Sequence, residues 1–170
     1  LRSWYLGLST EVDHHIGRLL SFLKDTGQFE NTVIVITADP GETLGDQGCW
    51  GKSNYLNAAF HTPLIFRDPQ KPDGHGRDVV QPTESIDITP TILTRIGLTP
   101  PDTMDGRDLG AFLEGHVPDG WRRHSFSELD FGDPIEATDV QQSLGLRASE
   151  ANLAILRDGT HSLVHFNGGL

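Results

Sequence analysis

Apolar side chains recur every three or four positions over the first 25 residues, which is the spacing of one face of an α-helix. This face is formed by Tyr5, Leu8, Val12, Ile16, Leu19, Leu20 and Leu23. Gly27 follows as a helix stop. Residues 33–37 are then continuously apolar or β-branched, which predicts a strand buried on both faces, as in a parallel sheet. A helix followed by a short turn and a buried strand is half of an α/β unit.

A second strand and a second helix follow the same plan. Residues 63–66 form another short apolar run, and residues 85–96 have a helical pattern that ends at Gly97. We expect 33–37 and 63–66 to be neighbouring central strands, because their apolar density requires cover on both faces. The helices at 3–25 and 86–96 would provide that cover.

The last third of the chain has the patterns of an antiparallel sheet. Residues 124–131 are strand-like, and residues 153–157 are predicted to pair with 162–166. The Asp158-Gly159 dipeptide between the last two segments is a strong hairpin signal.

The two patterns divide the chain into an α/β domain at 1–117 and a small antiparallel β subdomain at 118–170. The chain opens at Leu1 inside the helical pattern and ends directly after a strand pattern. We therefore expect a fragment of a longer protein.

Composition and charge exclude several classes of partner. Of 170 residues, 36% are hydrophobic, which suffices for one globular core, and the net charge is −11. Nucleic acids and anionic membrane surfaces require a cationic patch, so neither is expected to bind. The single cysteine, Cys49, excludes an internal disulfide, and no signal peptide is evident. These features favour the cytoplasm, and a homo-oligomer is compatible with them.

The chemically richest segment is the loop at 38–54. Asp39 follows the end of a predicted buried strand, where open α/β sheets place their ligands. Lys52 closes the loop and could meet an anion held near Asp39. A carboxylate for a hard metal and a lysine for an oxyanion suit the chemistry of phosphoryl or sulfuryl esters. The alternative is a charged surface turn without function.

This loop resembles the C-terminal signature of sulfatases in the alkaline phosphatase superfamily, where Ser-Asp-His-Gly-Glu precedes Leu-Gly-Asp-His-Gly and a Gly-Lys pair. The matching segments here are Asp39-Pro40-Gly41-Glu42, Leu44-Gly45-Asp46-Gln47-Gly48 and Gly51-Lys52. Further family-like motifs lie, in order, at 12–18, 63–69, 85–93 and 105–109. The segments that resemble phosphonate monoester hydrolases in particular are Gly51-Lys52-x-x-Tyr55-x-Asn57, 127–131 and 164–166.

The resemblance implies the C-terminal portion of an alkaline-phosphatase-like α/β sandwich. It also implies a divalent metal of the Ca, Mn or Mg class and a formylglycine nucleophile. By position, Asp39 matches a metal ligand and Lys52 the lysine that contacts the substrate during catalysis. Pro40 occupies the second ligand position, and proline has no side-chain donor. The Cys-x-Pro-x-Arg motif of formylglycine is absent, so the nucleophile is expected outside this chain.

We therefore predict part of a metal-dependent hydrolase of small anionic esters, namely sulfate esters, phosphodiesters or phosphonate monoesters. The isolated chain is expected to be inactive. The alternative is a non-catalytic remnant or binding module that keeps the fold without a competent metal site. For three other loop residues we expect structural roles, with Glu42 bonding loop amides, Trp50 anchoring the loop and His61 packing beside the second strand.

Overall fold

The computed structural model describes residues 1–168 and contains helices, strands and short 3-10 turns. The helices are α1 (Arg2–Asp25), α2 (Asn57–Phe60), α3 (Ile88–Arg95), α4 (Gly110–Leu113) and α5 (Asp139–Leu144). The strands are β1 (Ile34–Thr37), β2 (Thr43–Asp46), β3 (Cys49–Gly51), β4 (Leu64–Arg67), β5 (Ser125–Asp130), β6 (Asn152–Arg157) and β7 (Ser162–Phe166). The α/β class predicted from the sequence is confirmed.

The two apolar strands pair with each other, but their direction differs from the expectation. β1 and β4 are neighbours in an antiparallel ladder, with Ile34 opposite Arg67 and Thr37 opposite Leu64. The parallel arrangement was wrong because a short apolar run reports burial and contains no information about the direction of its partner.

The cover that α1 was expected to provide over this sheet is also absent among residues 1–168. β1 and β4 form a two-stranded sheet of mostly half-buried residues, and Ile65 is 59% exposed. Helix α1 has no buried residue and contacts mainly the 3-10 turn Phe29–Asn31. Its exposed apolar side chains include Trp4, Leu6, Leu8, Val12, Leu19 and Phe22. Both strands are therefore edges of a small sheet here, and the central position expected for them was wrong.

None of the helices within residues 1–168 is sufficiently long and apolar to cross a membrane.

The loop predicted at 38–54 contains a two-stranded hairpin. Strands β2 and β3 pair antiparallel, with Thr43 opposite Gly51 and a bulge between Leu44 and Asp46. Gly45 and Gly48 adopt φ of 96° and 81°, which L side chains rarely adopt, so the hairpin requires glycine at both positions. The sequence did not reveal these strands because glycine and acidic residues interrupt the period of two.

Asp87 is the buried polar centre between α3 and the C-terminal third. Its carboxylate is fully buried and accepts hydrogen bonds from both terminal nitrogens of the Arg122 guanidinium. The backbone N–H groups of Glu84 (2.8 Å) and Arg107 (2.7 Å) donate to the same carboxylate. One side chain therefore connects the start of α3 with two later segments.

A second buried polar contact continues this connection. Thr91 in α3 donates to the carbonyl oxygen of Asp87 (2.6 Å) and accepts from the backbone N–H of Leu109 (2.9 Å). Leu109 and Phe112 are buried behind it, and Phe112 stacks edge-to-face on Trp121 at 4.9 Å between ring centroids. The helix predicted at 85–96 and the helical turn that follows thus share one small core.

The C-terminal sheet is three-stranded and antiparallel in the order β5-β6-β7. The predicted hairpin is confirmed, with Arg157 opposite Ser162. Leu153, Ile155 and Arg157 alternate along β6 on its buried face. Helix α5 was not predicted, although Thr138 caps it and Gly145 ends it at φ 66°. The division of the chain at residue 117 stays a prediction.

We expect Asp87→Asn to lower the free energy of unfolding by about 3 kcal/mol, because it leaves the Arg122 charge half-buried without a full counter-charge. Urea titration of the purified chain followed by circular dichroism measures this. Asp102→Asn is the matched control, since Asp102 is exposed. Equal midpoints for the two variants would show that the buried pair adds nothing to stability.

The exposed apolar face of α1 leads to a second expectation. The purified chain should bind the dye ANS, and replacing both Leu8 and Leu19 by Lys should lower the fluorescence because it removes apolar contact surface. Ser9→Lys with Ser21→Lys adds the same charge to exposed positions of the same helix and serves as the control. A fluorescence loss of the same size in the control would mean that charge, and not the apolar face, governs binding.

Candidate functional site

A cleft of about 1260 Å³ lies between the α/β part and the C-terminal sheet. Its walls come from the segments after β1 and β3, from α2, from the 79–85 loop, from β5 and from the β6–β7 turn. Asp39, Pro40 and Lys52 all line it. The structure thus brings the site residues predicted from the sequence to one cavity.

The backbone after Asp39 is held against α2. Asp39 itself is exposed, and Gly41 two residues later donates its N–H to the carbonyl oxygen of Ala59 at 2.8 Å. A Cβ at Gly41 would overlap the carbonyl oxygen of Ala58, so only glycine permits this approach. The position of Asp39 at the cleft therefore depends on close backbone contact.

Lys52 extends from an equally well-held segment. Asn54 donates to Thr43 Oγ1 (3.1 Å) and to the carbonyl oxygen of Gly51 (3.4 Å), and its backbone N–H donates to the carbonyl oxygen of Lys52 (2.9 Å). Thr43 is fully buried and donates to the Gly51 carbonyl oxygen. The Lys52 side chain is exposed, and within residues 1–168 no carboxylate lies within 4.0 Å of it. A backbone held by hydrogen bonds and an ammonium without a carboxylate partner together suit the binding of an anion.

The residues near Asp39 do not form a metal site by themselves. Asp39 offers one carboxylate, Pro40 offers no donor, and no group of three His, Cys, Asp or Glu residues within 1–168 is arranged to hold a metal ion. A hard divalent cation requires about six oxygen ligands, so most donors would have to come from elsewhere.

Two residues, His61 and Glu42, differ from the roles expected for them. His61 is exposed and lines the cleft, so the packing role was wrong. Trp50 is 54% exposed, and its ring lies against Gly45 of the same hairpin, so it contacts the loop without being buried. Glu42 is half-buried, and its carboxylate accepts no hydrogen bond from the loop amides among residues 1–168. The β2–β3 hairpin leaves Trp50 more than half exposed, which the sequence pattern of a loop could not reveal.

Sequence reasoning missed Arg157, which also lines the cleft. Its side chain is 8% exposed and lies 5.0 Å from the Phe60 ring centroid. It donates to the Tyr55 carbonyl oxygen and to Ser162 Oγ (3.1 Å). Burial lowers the pKa of the Arg157 guanidinium, although an arginine stays charged near neutral pH. The signal in the sequence was an arginine on the inward positions of β6, in step with Leu153 and Ile155.

This chain is similar over most of its length to known proteins. It is 37% identical over 166 residues to the multifunctional alkaline phosphatase superfamily protein PehA of Trinickia caryophylli, and the match covers 98% of this chain and 32% of PehA. It is 32% identical to an N-acetylglucosamine-6-O-sulfatase of Bacteroides thetaiotaomicron, covering 88% of this chain and 26% of that protein.

Solved structures give the same result. The phosphonate monoester hydrolase SpPMH from Silicibacter pomeroyi superposes with a TM-score of 0.93 at 51% identity. That match covers 98% of this chain and 32% of SpPMH, so the chain spans about a third of the length of such relatives. The family model described as Sulfatase matches residues 1–98, more than half of the chain. Together with the cleft that joins Asp39 and Lys52, these matches establish that the chain belongs to the sulfatase family.

Proposed function

We propose that this chain is part of a hydrolase that acts on small anionic esters, namely sulfate esters, phosphodiesters or phosphonate monoesters. The observation that supports this most directly is the shared cleft of Asp39 and Lys52 in a member of the sulfatase family. SpPMH, a phosphonate monoester hydrolase, matches 98% of this chain at 51% identity, which favours phosphonate monoesters within this range. We call this chain, joined to a region that corresponds to the other two-thirds of its relatives, the full-length form.

Lys52 is the residue to which we assign a direct role. Its ammonium has no carboxylate partner among residues 1–168 and is exposed in the cleft, so it is available to the non-bridging oxygens of a bound ester. Negative charge builds on these oxygens and on the leaving group during ester cleavage, and a preorganised cation stabilises that charge. Asn54 and Thr43 fix the backbone of the lysine, which lowers the cost of placing its charge.

The divalent metal and the formylglycine nucleophile belong to the full-length form in this proposal. Asp39 is the one carboxylate that the chain would contribute to the metal, and the nucleophile would come from outside it. The isolated chain lacks a nucleophile, so binding of an anion by Lys52 is all that it is expected to perform.

Pro40 favours a second candidate function, which is binding without hydrolysis. A protein that has lost a ligand at this position could retain the fold and bind anionic ligands without hydrolysing them. Proline also removes a backbone donor and restricts the preceding residue to an extended conformation. Turnover by the full-length form distinguishes the two functions.

We expect Lys52→Ala to lower kcat/KM of the full-length form by roughly 100-fold, which is the cost typical of removing a donor that stabilises charge in the transition state. Initial rates with an aryl phosphonate monoester and an aryl sulfate measure it. Lys71→Ala is the matched control, since Lys71 pairs with Glu114 (2.7 Å) on the surface. A Lys52 variant as active as this control would remove Lys52 from the reaction.

We expect Pro40→His to strengthen divalent-metal binding of the full-length form by about 10-fold or more, because losing even an indirect partner of a metal ligand usually costs 10–100-fold. Calorimetric titration of both forms with Mn²⁺ measures the affinity, and hydrolysis should rise with it. Pro63→His, which also lies at the cleft but precedes β4, is the control. Equal affinities for the Pro40 variant and the parent would mean that the position after Asp39 is not a ligand position.

A further inference from the structure

Arg157 is a buried cation that no carboxylate of the described chain neutralises. It is 8% exposed, and within residues 1–168 no acidic oxygen lies within 4.0 Å of its guanidinium. Both hydrogen-bond acceptors that it has, the Tyr55 carbonyl oxygen and Ser162 Oγ, are neutral. Removing a charge from water without an opposite charge is costly, so a buried arginine normally has an anionic partner.

Two acidic residues that line the same cleft are engaged elsewhere. Asp158 follows Arg157 in the chain, but its carboxylate accepts from the backbone N–H groups of Thr160 (2.7 Å) and His161 (2.6 Å). These bonds lower the pKa of Asp158 to about 2. Glu84, in the same cleft, accepts from the Phe126 N–H (2.7 Å) and pairs with Arg122 (3.2 Å). Neither carboxylate is free to turn to Arg157.

One nitrogen of the guanidinium remains available. Nε donates to Ser162 Oγ and Nη2 to the Tyr55 carbonyl oxygen, whereas Nη1 has no hydrogen-bond partner among residues 1–168. The side chain lines the cleft that also contains Lys52. Tyr55 lies three residues after Lys52, so the contact that fixes Arg157 also fixes the segment of that lysine.

We propose that Arg157 is a second anion-binding residue of the cleft, and that its Nη1 donates to an oxyanion of the bound ester. This inference rests on the proposed function and narrows its substrate class to esters that present oxyanion oxygens to two cations. Guanidinium–oxyanion hydrogen bonds are among the stronger ones in proteins, and a partly buried site screens them little. We place this oxyanion on the transferring group, which inorganic sulfate mimics, and a contact with an acidic substituent of the leaving group is the other outcome that kinetics would show.

The first test measures binding of inorganic sulfate to the full-length form by calorimetry, which requires no turnover. We expect Arg157→Met to weaken sulfate binding by about 10-fold, as for the loss of one charge-assisted hydrogen bond. Arg123→Met removes the same charge from an exposed position and should leave the affinity unchanged. An Arg157→Met protein that folds and binds sulfate as tightly as the Arg123 variant overturns the proposal.

A second measurement uses the full-length form without substitutions, so it applies even if Arg157→Met does not fold. Phenylglyoxal modifies arginines slowly, and mass spectrometry reports the rate at each one. Bound sulfate should slow modification of Arg157 at least several-fold and leave that of Arg123 unchanged, because only Arg157 lies in the cleft. Equal rates at Arg157 with and without saturating sulfate would overturn the proposal.

Kinetics then identify the source of the oxyanion. Two aryl sulfates are compared that differ only in a carboxylate on the aryl leaving group. A 10-fold loss of kcat/KM on both substrates in Arg157→Met places the contact on the transferring group, whereas a loss confined to the carboxylated substrate places it on the leaving group. A loss on neither overturns the proposal. Absence of hydrolysis by the parent full-length form would contradict the proposed function alone, since sulfate binding still tests Arg157.

Discussion

The buried carboxylate of Asp87 is the interaction on which the arrangement of the chain depends. It joins the start of α3 to Arg107 and Arg122, and Arg122 lies three residues before β5. A charge pair buried this deeply contributes no more to the stability of the fold than an apolar pair of the same shape, and often less. The pair instead fixes the relative position of the two segments, because both carboxylate oxygens and both terminal guanidinium nitrogens must meet in one orientation. The C-terminal sheet is thereby held at one position relative to the α/β part.

The cleft follows from that fixed position. One side of the cleft is held by the backbone hydrogen bond of Gly41 to Ala59 and by the hydrogen bonds of Asn54 around Lys52. Its other side is the C-terminal sheet, connected to the first by the Arg157–Tyr55 bond. Every functional candidate is thus held by backbone contacts, while the Asp39 carboxylate and the Lys52 ammonium remain exposed. This combination is typical of a binding site, in which rigid supports present solvated groups.

In the proposed hydrolase, this chain would supply more of the anion-binding residues than of the metal ligands. Two cations, Lys52 and Arg157, line the cleft, whereas a single carboxylate follows β1 and a proline stands beside it. Sulfate monoesters, phosphodiesters and phosphonate monoesters each carry one negative charge near neutral pH, so the two cations do not by themselves select among them. SpPMH, a phosphonate monoester hydrolase, matches 98% of this chain at 51% identity, whereas the N-acetylglucosamine-6-O-sulfatase matches 88% of it at 32% identity.

The sequence alone determined the family, the class of chemistry and most element positions, because each of these is local. The helical period over 3–25, the apolar runs that became β1 and β4, and the Asp158-Gly159 turn are all short-range signals, and Asp39 and Lys52 lie in one short motif. Tertiary structure decided the antiparallel pairing of β1 with β4, the hairpin inside the active loop and the buried pair of Asp87 with Arg122. It also decided the place of Arg157, 105 positions from Lys52 in the chain. Contacts between such distant residues depend on how packed segments meet in space, and no local pattern of apolar and polar side chains records that geometry.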